Sequence, residues 1–201
     1  DQRNKLLVSD DVSSVLNGFY EDVVTDLMNK HVPMNSLFEQ WDLEGLTNVL
    51  SRDFDCDFDI DQLLKDEPNI DEKQLYEAVL AKLQDEHEQK RAMAEEESFG
   101  KYEKVVILHS LDTAWREHLS QMDYLRSSIG LRGYAQKDPK QEYKKEAFRL
   151  FEKMLSHFKY DVISSLAKLK KEQIAPQQVE DQWRGEISDI NYQHQSDLSI
   201  G

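Results

Sequence analysis

The chain has 201 residues, of which 39% are hydrophobic and 32% are charged, so it is long enough to bury a core without disulfides or bound metals. Its 7 glycines and 4 prolines are too few for a turn-rich β-sandwich or barrel, and its single cysteine, Cys56, excludes an internal disulfide framework. The longest aliphatic run, residues 105–108, is far shorter than the roughly 20 residues of a membrane-spanning helix. We therefore expect a soluble, helical protein of a cytoplasmic type.

The formal net charge of −15 is unevenly distributed. Residues 1–97 carry 25 acidic side chains against 9 basic ones, and residues 98–172 carry 10 against 15. Residues 173–201 are acidic again, with 5 against 1. This division indicates at least two structural units with different partners.

The first predicted helix follows cap-type residues at positions 9–11 and ends before Pro33, because the residue preceding a proline avoids the α region. Shorter helical segments are predicted around 37–41 and 43–52. Apolar side chains recur at helical spacing along the first helix at Val12, Val15, Leu16, Phe19, Val23 and Leu27.

Residues 53–61 alternate strictly between aspartate and an apolar residue. A period of two predicts an extended segment with its apolar side chains on one side. The apolar members are Phe54, Cys56, Phe58 and Ile60. The aspartates resemble the start of a calcium loop, but the sixth position is Phe58 instead of glycine and the twelfth is Leu64 instead of glutamate. We therefore favour a solvated strand face.

A further helix is predicted to begin after Asp71, which is a cap-type residue, and to bury Leu75, Val79 and Leu83. It runs into the highly charged stretch 85–97. We interpret residues 11–97 as a small, mostly helical domain.

Two long amphipathic helices are predicted next, from about 99 to 129 and from 139 to 169. Pro139 in a first helical turn, with Asp138 as its N-cap, marks the start of the second. The connector 129–137 is short, so the helices are antiparallel neighbours in a long hairpin. The first apolar stripe contains Leu108, Leu111, Trp115, Met122, Leu125 and Ile129, with His118 and Leu119 near the remaining seam position. The second contains Phe148, Phe151, Leu155, Phe158, Val162, Leu166 and Leu169.

His109 and His118 lie close to carboxylates, which raises the question of metal or acid–base chemistry. The sequence has no His-Glu-x-x-His pattern, no second cysteine and no third ligand at a helical offset. It also has no glycine-rich phosphate-binding loop of the Gly-x-x-x-x-Gly-Lys-Ser/Thr type. We predict no catalytic residue, no metal ligand and no cofactor in this chain.

The predicted hairpin tip combines Leu131 and Tyr134 with many basic side chains. Such a patch is compatible with anionic lipid headgroups or nucleic acid, and equally with a solvated turn. The net charge of −15 and the missing stacking platform make nucleic acid the weakest of these partners. A tyrosine on a rigid stalk suits contact with a polypeptide. The basic residues are Arg126, Arg132, Lys137, Lys140, Lys144, Lys145 and Arg149.

The hairpin sequence closely resembles the C-terminal region of the SecA family, the motor subunit of bacterial preprotein translocases. The resemblance is carried by 111–119 (LDTAWREHL), 122–126 (MDYLR), 131–139 (LRGYAQKDP) and 142–144 (EYK). Weaker similarity extends back through Trp41 and its neighbours, so that roughly 1–172 are covered.

The resemblance implies an all-α fold with assigned parts. Residues 1–10 correspond to the end of a long scaffold helix, 11–97 to a helical wing, 98–172 to a two-helix finger and 173–201 to a flexible C-terminal linker. The finger tip is implied to enter the SecYEG channel and to contact the preprotein. The implied contact residues are Leu131, Arg132, Gly133, Tyr134 and Lys137, and the implied finger-packing residues are Leu111, Trp115, Met122, Leu125, Phe148, Phe151 and Leu155.

The resemblance also implies partners: SecYEG, unfolded preprotein and the SecA motor domains, with peripheral association with the bacterial inner membrane through the channel and anionic lipid. ATP and Mg²⁺ belong to the parent motor, whose hydrolysis the finger helps to regulate. We expect this chain alone, without the motor domains and the zinc-binding tail of many members, to hydrolyse no ATP. The alternative function is an inert helical scaffold or dimerisation module.

Overall fold

The computed structural model describes residues 12–67, 70–93, 96–132 and 138–169. Over these residues the chain forms six α-helices and one 3₁₀ turn, Phe38–Gln40, and no strand, so the predicted all-α class is confirmed. The helices are α1 (Val12–His31), α2 (Leu43–Phe54), α3 (Ile60–Asp66), α4 (Glu72–Ala92), α5 (Glu96–Arg132) and α6 (Pro139–Ala167). None of the described helices combines the length and apolar character needed to cross a bilayer. The predictions for 1–10 and 173–201 lie outside the described residues.

The helix starts are set by side-chain caps, as the sequence predicts. The Asp71 carboxylate accepts a hydrogen bond from the Gln74 backbone N–H at 2.8 Å, and the Gln74 side chain accepts one from the Asp71 N–H at 2.9 Å. At the start of α6, the Asp138 carboxylate accepts the Lys140 N–H at 2.9 Å, with Pro139 in the first turn. These bonds satisfy amide groups that a helix leaves without an internal partner.

The aspartate-rich segment 53–61 differs from the extended strand predicted for it. Only 55–59 are non-helical, because Asp55 ends α2 in a left-handed conformation (φ of 50°) and the Asp59 carboxylate caps α3 by accepting the Gln62 N–H. The alternation of burial persists, with Phe54, Cys56 and Ile60 buried and Phe58 half-buried. The period of two therefore comes from two helix ends that meet, and not from a strand.

One hydrophobic core joins α1–α4 to the hairpin, which is defined here as α5 and α6. Val24 on α1, Leu46 on α2, Leu75 on α4 and Val162 on α6 are all fully buried in the same cluster. The reversal of charge near residue 97 is therefore not a break in the packing. The hairpin is anchored at one end in the core of the smaller helices.

Gly45 lies in the first turn of α2, directly under the N-cap residue Asp42. One Asp42 carboxylate oxygen accepts the Gly45 N–H at 3.0 Å, and the other lies 2.8 Å from Nδ1 of the buried His31. These contacts, the His31 bond first, lower the pKa of Asp42. A Cβ built on Gly45 would lie 2.0 Å from Oδ2 of Asp42, so only glycine leaves room for the cap.

We expect Gly45→Ala to lower the free energy of unfolding by about 1–2 kcal/mol through loss of the cap, although alanine normally favours a helix. Urea unfolding followed by circular dichroism measures this change. Matched controls are Gly18→Ala and Gly100→Ala, where an added Cβ meets nothing within 4 Å. These two should raise the stability by about 0.5–1 kcal/mol, and stabilisation by Gly45→Ala as well would contradict the proposed clash.

Candidate functional site, the helical hairpin and its root

The hairpin is built from the two longest helices, α5 with 37 residues and α6 with 29. At 1.5 Å per residue they measure about 55 Å and 43 Å. Leu131 and Arg132 belong to the last turn of α5. The other predicted tip contacts, Gly133, Tyr134 and Lys137, lie outside the described residues, so their role stays a prediction.

The buried seam of α5 is displaced from the predicted apolar stripe. Its buried side chains are Phe99, Glu103, Ile107, Ala114, His118 and Leu125. Among the predicted packing residues Leu125 is buried, Leu111, Met122 and Leu155 are half-buried, and Trp115, Phe148 and Phe151 are exposed by 46%, 60% and 40%.

The exposed aromatic rings lie beside the seam instead of within it. The ring of buried His118 contacts Trp115 on its own helix and Phe151 across the hairpin, with centroids 5.6 and 5.9 Å away. The smaller Ala114 takes the buried position next to Trp115. When two adjacent residues of a helix are both apolar, either one can be buried against the neighbouring helix. In α5 the smaller residue, Ala114, is the buried one.

We call the end of the hairpin that packs against α1, α2 and α4 its root. The first polar contact at the root is centred on Asp53, the penultimate residue of α2. Its carboxylate accepts two hydrogen bonds from the Arg52 guanidinium, at 2.8 and 2.9 Å, and one from the Tyr160 hydroxyl on α6. The Asp53 backbone carbonyl accepts a bond from Ser164 Oγ at 2.7 Å. Two residues on successive turns of α6 are thus tied to one residue of α2.

These contacts lower the pKa of Asp53 and raise that of Tyr160. The Arg52 guanidinium holds the pKa of Asp53 well below its usual range, and burial followed by the neighbouring Asp53 raises the pKa of Tyr160. Asp53 is therefore a carboxylate and Tyr160 a neutral donor near neutral pH. This is the protonation required for the hydrogen bond between α2 and α6.

The second polar contact at the root is a buried pair, His87 on α4 and Glu103 on α5. Nε2 of His87 lies 2.9 Å from Oε1 of Glu103, and the Glu103 side chain is fully buried. The rings of Tyr20 and Phe99 contact the imidazole in tilted orientations, each with its centroid 5.6 Å away. Burial, and next the Glu103 charge, raises the pKa of Tyr20. An ionisable pair in such surroundings stabilises only while both partners are present.

Further contacts complete the root. Lys159 Nζ donates to the Asp22 carboxylate on α1, and Lys90 Nζ donates to the Ala167 carbonyl at the end of α6. Phe158 packs edge-on against Phe19 with ring centroids 5.3 Å apart. A lysine at the C-terminus of α6 also complements the helix dipole there.

A cleft of about 230 Å³ lies between α5 and α6, with His118, His157 and Asp161 in its lining. Burial raises the pKa of Asp161, while His157 opposes that shift. Within the described residues, no three histidine, cysteine, aspartate or glutamate side chains converge as metal ligands. Burial also raises the pKa of the Cys56 thiol to about 12, so this cysteine is a packed thiol and not a nucleophile.

The sequence interpretation missed the root residues Asp53, His87, Glu103 and Tyr160. A signal existed for Glu103, which lies four residues from both Phe99 and Ile107 and so on the same helical face. A charged residue on an apolar stripe indicates a buried partner. The partner itself, His87, follows only from the packing of α4 against α5.

Over the described residues the chain is thus a small helical part that holds a long helical hairpin at its base. Residues 1–170 match the model of the "SecA Wing and Scaffold domain". The chain belongs to this family, and the match is to its wing and scaffold region and not to its motor. The resemblance seen in the sequence is thus confirmed.

Curated relatives carry the same assignment over nearly the whole chain. The chain is 44% identical over 197 residues, 98% of its length, to "Protein translocase subunit SecA" of Francisella tularensis subsp. novicida. It is 45% identical over 185 residues, 92% of its length, to the protein of that name in Francisella philomiragia subsp. philomiragia. The matches span 22% and 20% of those relatives, so the chain corresponds to about a fifth of the proteins it resembles.

Proposed function

We propose that the chain acts within a protein translocase as the module that carries a rigid hairpin to the translocating polypeptide. The observation that supports this most is the root, where the hairpin is held by the Asp53–Tyr160 and His87–Glu103 contacts and by a shared apolar core. The family, and relatives that are protein translocase subunits, supply the transport context.

A hairpin held at its base transmits movement to its tip. From Ala114, which is still in the shared core, to Arg132 at the end of α5, the helix extends about 27 Å at 1.5 Å per residue. Residues 1–10 would be the end of a scaffold helix, 11–97 the wing, 98–172 the finger and 173–201 a linker. We assign the preprotein and channel contacts to Tyr134, with Leu131, Arg132, Gly133 and Lys137 around it.

The partners in this proposal are the SecYEG channel, an unfolded preprotein and the motor domains of the parent protein. ATP and Mg²⁺ would be bound by that motor, and the finger would help to restrain its hydrolysis. The basic tip residues would meet the channel and anionic lipid at the cytoplasmic face of the inner membrane. No nucleic acid is expected as a partner.

The proposal predicts that Tyr134→Ala in the full-length parent lowers preprotein transport about 30-fold, the factor that corresponds to a central aromatic contact worth about 2 kcal/mol. Basal ATPase activity and the unfolding midpoint should not change. Transport into membrane vesicles containing the channel is the measurement, and Tyr124→Ala, an exposed tyrosine on the body of α5, is the matched control. Photocross-linking from position 134 to a stalled preprotein gives a second readout. Full transport by Tyr134→Ala, with no adducts, would contradict the assignment.

The alternative is a scaffold or dimerisation module with an inert tip. It is favoured by a set of exposed large apolar side chains on the hairpin: Trp115, Leu119, Phe148 and Phe151. Sedimentation of the chain separates the two proposals. A dimer that Phe148→Ser abolishes, together with full transport by Tyr134→Ala, would support the scaffold role.

A further inference from the structure

The loop between α1 and α2 carries a second exposed apolar surface, far along the chain from the hairpin tip. Met34, Leu37 and Phe38 are 75%, 69% and 51% exposed. The half-buried Trp41 lies behind them, its ring centroid 5.1 Å from that of Phe38. We call these four residues the loop patch. Contiguous exposed apolar surface of this kind is typical of interaction sites.

The loop patch is held outward by a hydrogen-bonded backbone. Ser36 N–H donates to the Pro33 carbonyl at 3.1 Å, and Gln40 N–H donates to the Leu37 carbonyl at 2.8 Å. The Gln40 side chain in turn accepts the Leu37 N–H at 3.1 Å. Asn35, with a φ of 60°, makes the turn between Met34 and Ser36. Because the loop is already ordered, little conformational entropy is lost when a partner docks.

Trp41 also offers a hydrogen-bond donor. Its indole Nε1 is buried and has no partner among the described residues. An indole N–H prefers an acceptor when it is buried. This unsatisfied donor belongs to the residue whose ring packs against Phe38, so the loop patch includes a polar group that no described residue satisfies.

The surroundings of the loop patch are acidic. Residues 30–45 include three acidic side chains, Glu39, Asp42 and Glu44, against one basic side chain, Lys30. All three acidic side chains are exposed. The wider stretch 1–97 holds 25 acidic against 9 basic side chains. This field attracts cations and repels phosphates.

We propose that the loop patch docks a polypeptide segment in which apolar residues are accompanied by lysine or arginine. The apolar residues cover Met34, Leu37 and Phe38, and the basic ones meet Glu39 and Glu44. The same carboxylates repel anionic lipid headgroups and nucleic acid, which separates this surface from the basic hairpin. The site is independent of Tyr134 and extends the proposed function by a second polypeptide contact.

The test uses the 201-residue chain and two labelled peptides. The lysine peptide is rich in leucine and alanine and has lysines at both ends, and the glutamate peptide is the same sequence with glutamates in place of the lysines. Fluorescence anisotropy should show binding of the lysine peptide that weakens as salt screens the charges. The double variant Leu37→Ser/Phe38→Ser should lower that affinity about tenfold or more. Phe148→Ser, which removes an equally exposed phenylalanine on the hairpin, should leave it unchanged.

A photoreactive residue at position 37 provides a second measurement that does not depend on the double variant. Adducts with the lysine peptide, and few with the glutamate peptide, support the proposal. Equal affinity of both peptides, or full binding by the double variant, overturns it. Adducts between two copies of the chain, or Phe38-dependent binding to anionic vesicles, also overturn it in favour of those partners.

Discussion

Replacing Glu103 by alanine is expected to lower the free energy of unfolding by about 3–5 kcal/mol, the range for removing one partner of a buried ionisable pair. The carboxylate is fully buried, and its partner His87 is only 7% exposed. Alanine leaves the imidazole Nε2 without its hydrogen-bond partner beside Tyr20 and Phe99, and it also leaves a cavity. Urea or thermal unfolding of the chain measures the loss.

Three further variants identify the cause of that loss. Glu103→Gln keeps the volume and a hydrogen-bonding oxygen, so it should cost clearly less. Glu117→Ala, an exposed glutamate on the same helix, should change the stability by no more than about 0.5 kcal/mol. The double change His87→Leu/Glu103→Leu replaces the pair by apolar side chains and should recover most of the stability. If Glu103→Ala and Glu117→Ala have the same free energy of unfolding, the buried pair does not stabilise the packing of the hairpin against α4.

Replacing Asp53 by alanine is expected to lower the free energy of unfolding by about 1.5–3 kcal/mol, the range for hydrogen bonds to a charged group. The change removes the acceptor of the Arg52 guanidinium and of the Tyr160 hydroxyl, and so one polar tie between α2 and α6. Tyr160→Phe should cost less, because it removes one of the three bonds. A double-mutant cycle of Asp53→Ala with Tyr160→Phe should give a coupling energy above zero.

The contribution of Asp53 should also depend on pH in a defined direction. Its pKa is lower in the folded chain than in the unfolded chain, where an aspartate has a pKa of about 3.9. The stabilisation is therefore complete above that unfolded value and is lost as the pH falls through the folded pKa. The stability difference between the wild type and Asp53→Ala should stay constant near neutral pH and narrow in acid. A matched exposed variant, Asp123→Ala, should show no such convergence.

Local signals in the sequence were sufficient for the helix ends. Pro33, Asp71 and Asp138 act through their immediate neighbours, so their effect is independent of the rest of the fold. The same holds for the hairpin, because a short connector between two long amphipathic helices permits only antiparallel packing. The segment around Asp55 and Asp59 was misinterpreted, since aspartates that end and start helices imitate the period of a strand.

Periodicity identifies an apolar face, and the tertiary structure decides which residue on that face is buried. On α5 both Ala114 and Trp115 fit the stripe, yet the alanine is buried and the tryptophan is 46% exposed. The reason is geometric. Helix α5 packs against α4 near Glu103 and against α6 further along the helix, so a different side of its apolar stripe is buried in each part.

The sequence by itself therefore determined the all-α class, the hairpin and the SecA family, because caps, connector length and a specific motif are local features. Only the tertiary structure decided that Asp53 and His87 hold the root, since their partners, Tyr160 and Glu103, are distant in the chain. Contacts between distant residues depend on how the helices pack in three dimensions, and no local pattern records that arrangement.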